Sequence, residues 1–217
     1  MSKPVISRYT VAKGVEGEFE PGSRGRVLRN KRGIIHKREM DQLEFNALVS
    51  AQERYYDMIE DSTRFTAELI CQMHRDWLED LFPWAGTYRA VELSKGGFRW
   101  PPSRLVAQNM AHLEANTLKA CTPCQGKSVQ EIGKKMAEVH AELLLVHPFR
   151  EGNGRLARWI ADLMSLQAGF GLPDYALSGR GSIKRRKNYL SAVQHGYAQN
   201  YEPLTGFFCT ALERSAK

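Results

Sequence analysis

Apolar residues recur at helical steps through most of this chain, and the breaks between those runs divide it into elements. Leu43, Ala47, Leu48 and Ala51 form a first stripe. Asp41-Gln-Leu-Glu44 just before it has the Asx-x-x-Glu form of a capping box, which predicts a helix opening there. A second helix is predicted from Thr66, with Leu69, Ile70, Met73, Trp77 and Leu78 on its inner face. His74 falls between these apolar positions and reads as a buried, hydrogen-bonded histidine. Leu105, Val106, Met110 and Leu113 mark a third helix, capped by Ser103 after Pro101-Pro102. The strongest run, Ile132, Met136, Val139, Leu143 and Val146, follows the capping box Ser128-Val-Gln-Glu131 and predicts the central helix of the core. Leu156, Ile160, Leu163 and Met164 line the next helix, closed by Gly169 and Gly171, and two more are expected over Ile183–Ala198 and Pro203–Arg214.

One stretch breaks the helical period. Val91–Ser94 and Phe98–Trp100 flank Gly96-Gly97, and two residues of that type between short runs signal a β-hairpin. A single hairpin is not stable alone and must lean on helices, leaving an edge that could pair with an extended peptide. Residues 1–40 are rich in Gly, Arg and Lys with weak periodicity, and read as an irregular basic N-terminal segment. The expected architecture is all-α with one hairpin: residues 41–217 as a helical domain behind the 1–40 segment, in one compact domain overall.

Composition refines this in three places. No apolar run approaches the roughly 20 residues of a membrane span, and Met1-Ser-Lys-Pro-Val-Ile-Ser-Arg lacks the apolar core of a signal peptide. A cytoplasmic protein is expected, with secretion by a signal-free route left open. Net charge is +7, concentrated in Arg24, Arg26, Arg29, Lys31, Arg32, Lys37 and Arg38 and in Arg180, Lys184, Arg185, Arg186 and Lys187. Such runs are more often solvated surface than an anion-binding face, and no nucleic-acid reading module accompanies them. Cys121-Thr-Pro-Cys124 has redox or zinc spacing but lacks the second pair of a structural zinc site, so reduced thiols in a loop are expected.

The candidate chemistry lies in His147-Pro-Phe-Arg-Glu-Gly-Asn-Gly-Arg-Leu-Ala-Arg158. The central helix ends here, the chain turns through Gly-Asn-Gly, and a new helix starts. The amides of Gly152, Asn153 and Gly154 would converge at the positive end of that helix, a natural anion cradle. Arg155 and Arg158, three apart, share a face and could clasp successive phosphates. Glu151 offers a hard oxygen to a nucleotide-bound magnesium ion, and His147 suits proton abstraction from a hydroxyl nucleophile. Phe149 is expected to point inward and anchor the loop. Together these groups suffice for phosphoryl or nucleotidyl transfer.

The string His-x-Phe-x-Glu-Gly-Asn-Gly-Arg-x-x-Arg resembles the motif of the Fic family of protein adenylyltransferases. Asn30-Lys-Arg-Gly-Ile34, His74, Trp84-Ala-Gly-Thr-Tyr-Arg89 and Ser94-Lys-Gly-Gly97 also look like family features. The resemblance implies a helical bundle with a hairpin flap over the active site, and transfer of AMP from ATP to a Ser, Thr or Tyr hydroxyl of a target protein. It implies His147 as general base, Glu151 as the Mg2+ ligand, and Gly152, Asn153 and Gly154 as the phosphate cradle. Arg155 and Arg158 would hold the outer phosphates. Ser94, Lys95, Gly96, Gly97 and Phe98 would form the target-docking flap, and Asn188 and Tyr189 are assigned to the adenosine pocket, Tyr189 being equally compatible with the core. Death-on-curing toxins, similar to this family, carry Lys at the place of Gly154 and transfer phosphate; this chain has the Gly. The alternatives are transfer of another phosphate-containing moiety, or a non-catalytic protein-binding module. Topoisomerase subunits or a small GTPase are the targets that the family suggests.

Many members are silenced by a helix bearing Ser/Thr-x-x-x-Glu-Gly/Asn. Glu16-Gly17 has Ala12 four places earlier and Glu213 has Cys209, so neither fits. The expectation is a toxin whose inhibitory helix comes from a separate small antitoxin docking beside Arg158, or a chain unregulated by that route.

Overall fold

The computed structural model describes residues 10–11 and 15–215. Eight helical segments are described: α1 (Lys37–Met58), α2 (Ala67–Leu78), α3 (Val106–Leu113), α4 (Lys119–Cys121), α5 (Val129–Val146), α6 (Asn153–Gln167), α7 (Ser182–Gly196) and α8 (Glu202–Ser215). A π-helical turn, Glu114–Leu118, joins α3 to α4. Three short strands, β1 (Thr10–Val11), β2 (Leu93–Lys95) and β3 (Phe98–Arg99), form an antiparallel sheet in the order β1-β2-β3.

α5 is the central helix, packed against α3, α6, α7 and α8. Its residues Ile132, Met136, Val139, Leu143 and Val146 are all buried, as their spacing requires. Ser128 accepts the Glu131 N–H at 3.2 Å and caps the helix. The Glu131 carboxylate takes the amide of Lys127 instead of that of Ser128, so the reciprocal half of the box sits one residue early. At α2 the Thr66 hydroxyl accepts the Leu69 N–H, the cap expected there.

Two predicted starts move. α1 begins at Lys37, not Asp41, so Asp41 lies inside the helix and pairs with Lys37 one turn back on its exposed side. Ser103 does not cap α3: its hydroxyl and amide both donate to the Glu92 carboxylate, and a 3-10 turn over Ser103–Leu105 leads into the helix. The hairpin forms about Gly96 and Gly97, with each strand one residue shorter than expected and the first starting at Leu93. Both glycines have positive φ, 57° and 84°, as a two-residue hairpin turn demands.

The N-terminal segment adds what the hairpin signal did not show. β1 pairs with β2, Thr10 opposite Ser94 and Val11 opposite Leu93, so the segment takes one edge of the hairpin. The Glu16 carboxylate then accepts the Ala90 N–H, and the Glu16 carbonyl accepts from Arg150 Nε at 2.7 Å. The expectation of an irregular stretch for residues 1–9 and 12–14 lies outside the described residues.

Four residues of the basic clusters contact loops or neighbouring carboxylates. Arg29 pairs with Glu18 and Arg32 reaches Asp80. Arg185 donates to the carbonyls of Ala176, Ser178 and Arg180, and Arg186 to that of Leu177. Cys121 and Cys124 are buried and flank a cis Thr122–Pro123 bond, and burial pushes their thiols up to about 12 and about 11. No described helix is long and apolar enough to cross a membrane.

Candidate active site

α5 stops at His147, which adopts a left-handed conformation with φ 51° and ψ 59°. A non-glycine residue held there carries strain, and such residues concentrate at functional positions. Arg89 holds it. This arginine is 2% exposed and donates to the carbonyls of His147 (2.7 Å), Val91 (2.9 Å), Pro101 (2.7 Å) and Val146 (3.4 Å). Its own amide donates to Pro148. One guanidinium thus binds the open carbonyls at the end of α5 to both bases of the hairpin.

The His147 ring lies beneath the hairpin, 4.1 Å from the Trp100 ring centroid, while the Trp100 indole N–H donates to Leu144. His147 Nδ1 faces the Leu144 carbonyl at 3.1 Å. A carbonyl can only accept, so Nδ1 carries the hydrogen of the neutral ring, assigned from its partner, and Nε2 has the basic lone pair.

The next residues are locked from below. Phe149 is fully buried, as expected, and stacks on His74 with centroids 3.9 Å apart. His74 Nδ1 accepts the Gly86 N–H at 2.9 Å, so Nε2 bears the hydrogen and donates to the Glu151 carbonyl at 3.1 Å. Burial lowers the His74 pKa to about 3 and keeps the ring neutral in that role. His74 therefore supports the motif loop from behind.

The Asn153 side chain bridges the loop, accepting the Phe149 N–H at 2.9 Å and donating to the Phe149 carbonyl at 2.7 Å. What Asn153 offers an anion is its backbone amide at the start of α6, where no side chain caps the helix. Gly152 makes the turn with φ 88°, and a Cβ there would lie 2.9 Å from the Trp77 ring. Strain and clash act together, so Gly152→Ala should destabilise the fold by about 2–3 kcal/mol, read as a lowered urea midpoint at unchanged slope.

The two arginines reach different walls of one cavity of about 1050 Å3, lined also by Arg150, Glu151, Glu44 and Tyr189. Arg155 pairs with Glu44 of α1 at 2.7 Å, lies over the Trp77 ring at 4.6 Å and stands 3.9 Å from Glu151. Arg158 faces α7, with Nη1 3.5 Å from the Tyr189 hydroxyl. Asn188 is exposed and lines a second, smaller cavity with Arg185, His195 and Phe207, away from the motif. In the hairpin, Ser94 lies opposite Arg99 and Lys95 opposite Phe98, with Lys95, Gly96 and Gly97 exposed at the tip. Phe98 anchors that tip on Tyr197, with centroids 4.9 Å apart.

Sequence reasoning missed Glu44 as a site residue. Its signal was there: Met40, Glu44, Ala51 and Tyr55 share the buried face of α1, and a carboxylate on such a stripe needs a cation.

Comparison with known proteins shows similarity in sequence and in fold. Residues 64–165 match the Fic/DOC family. The probable protein adenylyltransferase y4lH of Sinorhizobium fredii is 29% identical over 183 residues, covering 82% of this chain and 87% of its own. The probable protein adenylyltransferase Fic of Salmonella typhimurium is 27% identical over 195 residues, covering 87% and 89%. Among solved structures, BepC of Bartonella tribocorum with bound AMPPNP superposes with a TM-score of 0.67 at 23% identity, covering 85% of this chain and 91% of its own. The N-terminal Fic domain of a cell filamentation protein of Bartonella quintana with bound ADP gives 0.67 at 24% identity, covering 85% and 89%. These two establish the fold.

Proposed function

Because this chain carries a Fic/DOC family domain at residues 64–165, we propose that it is a protein adenylyltransferase, moving AMP from ATP to a Ser, Thr or Tyr hydroxyl of a target protein with release of pyrophosphate. The observation that carries this is the convergence at one helix start. Glu151, Arg155 and Arg158 line a single cavity, no side chain caps the start of α6, and His147 precedes that turn in the chain in a fixed tautomer.

In this scheme the target hydroxyl oxygen attacks the α-phosphorus as His147 Nε2 takes its proton. The bond from the α-phosphorus to the bridging oxygen breaks, and pyrophosphate leaves. Amides at the α6 N-terminus and the helix dipole hold the phosphate charge, and Arg155 and Arg158 bind the outer phosphates. Gly154 has no side chain to compete for that space, and its built Cβ would meet only Arg158, at 3.8 Å.

Magnesium fits these residues as an ion that arrives with the nucleotide. Among the described residues no three His, Cys, Asp or Glu side chains gather to hold a metal. Glu151, with its side chain 15% exposed, would supply a carboxylate of the kind such an ion takes beside phosphates and waters. Bound there, the ion would neutralise charge on the phosphates.

The hairpin tip, Ser94 to Phe98, would align the target backbone by strand addition. β1 already pairs with β2, which leaves β3 as the open side of the hairpin itself, the other outer strand of the described sheet being β1. Asn188, outside the first cavity, is assigned no nucleotide contact in this scheme. A toxin role, with an inhibitory helix supplied by a separate antitoxin beside Arg158, belongs to the same proposal. The isolated chain would then be active.

The test is incubation of the purified chain with magnesium, bacterial lysate and ATP labelled at either the α- or the γ-phosphate. Label carried from the α position alone supports AMP transfer. Label from the γ position would make the chain a kinase, and no label from either would leave a binding module. Mass spectrometry of the labelled band identifies the target, with topoisomerase subunits and small GTPases as first candidates.

A further inference from the structure

Tyr189 stands between a buried histidine of α5 and the second arginine of the motif. His140 is 1% exposed. Its Nδ1 lies 3.1 Å from the Ala157 carbonyl and its Nε2 lies 2.7 Å from the Tyr189 hydroxyl. A carbonyl only accepts, so Nδ1 carries the ring hydrogen. Burial first, and the nearby Arg158 charge second, lower the His140 pKa to about 3, so the ring stays neutral and Nε2 presents a lone pair.

The direction of the next bond follows. Tyr189 must donate to His140, and its oxygen then has only lone pairs to turn elsewhere. They face Arg158, whose Nη1 is 3.5 Å away, the far end of hydrogen-bonding range, and whose guanidinium carbon is 5.9 Å from the centre of the Tyr189 ring. The chain runs from the Ala157 carbonyl through His140 and Tyr189 to Arg158. Ala157 and Arg158 are neighbours on α6, so the relay starts and ends on the helix that it orients.

A second phenol fixes the same turn from another direction. The Tyr175 hydroxyl lies 2.6 Å from Asp162 and 3.3 Å from the Arg158 carbonyl. The Arg158 backbone is thus held on one side and its side chain on the other. Tyr189 is 5% exposed, and its hydroxyl is directed into the core.

Resting on the AMP-transfer reading above, we infer that Tyr189 is a positioning residue for Arg158, its hydroxyl direction set by His140, and that this relay determines how strongly the site favours nucleotides bearing outer phosphates. A wall of the adenosine pocket, the other role for Tyr189, makes a different demand: it would affect every adenine nucleotide alike, whatever its phosphates.

The two are separated by calorimetric binding of AMP and of AMPPNP with magnesium to the full chain, to Y189F, to R158A and to the double variant. Phenylalanine keeps the ring and removes only the hydroxyl. Y189F should weaken AMPPNP about fivefold, the scale of one hydrogen bond to a charged group at long range, and leave AMP within about twofold. In the R158A background the same change should have no further effect, the coupling expected of residues in one network. Equal weakening of AMP and AMPPNP, unchanged binding of both, or a Y189F effect that persists without Arg158 would each overturn the relay. A wild-type chain that binds neither nucleotide would overturn the AMP-transfer reading itself, and the relay with it.

Discussion

His147→Ala is expected to reduce AMP transfer by about 10^2–10^4-fold while nucleotide binding stays close to wild type. The ring is the general base of the proposed mechanism. Its Nδ1 is committed to Leu144, so the loss falls on Nε2 and on kcat more than on KM for ATP. Single-turnover transfer of labelled AMP to the target, with AMPPNP affinity measured on the same preparation, checks both halves. A variant with normal turnover would remove His147 from the chemistry. The control is thermal unfolding, because the ring also rests 4.1 Å from Trp100 and its removal leaves a small void beneath the hairpin.

Arg89→Met should cost about 3–5 kcal/mol of stability, the largest structural effect expected from one side chain here. The guanidinium serves four carbonyls, and methionine would leave those at the end of α5 buried without donors. Burial holds the Arg89 pKa below its ordinary value, with Glu92 and Glu16 acting in the opposite direction, so the charge is retained at a desolvation cost that the carbonyls offset. Arg89→Lys should recover only part of the loss, since an ammonium cannot reproduce a planar fork of five donors. Urea unfolding of the three proteins measures the difference. Because the same guanidinium bonds hold His147 in its left-handed conformation, Arg89→Lys should also lower transfer in the fraction that remains folded. A lysine variant as stable as wild type would mean that the fork is not what fixes this corner.

Much of the molecule was legible because the forces that shape it are local. The apolar spacing of α5 and α6, the Thr66 and Ser128 caps and the two-glycine turn each depend on residues within a few positions of one another. The motif was equally readable: a helix end, a glycine turn and a helix start are contiguous, so the His, Glu and two Arg had to come out near one another. The misplaced starts of α1 and α3 show where local reasoning fails. Asp41 and Ser103 are good capping residues, but Asp41 sits within a helix that starts one turn earlier, and Ser103 is drawn to Glu92 across the hairpin.

The sequence by itself determined the helical class, the hairpin, the order of elements and the contiguous motif at residues 147–158, because periodicity and capping are interactions between neighbours in the chain. Only the tertiary structure decided which distant side chains finish the site. Glu44 comes from α1 to hold Arg155, Arg89 gathers the carbonyls beneath His147, and the N-terminal segment takes the β2 edge of the hairpin. His140 and Tyr189 set the other arginine. Those contacts join elements far apart in the chain. They arise because a buried charge or polar group must find its partner inside a packed core, and that demand leaves no periodic trace in the sequence.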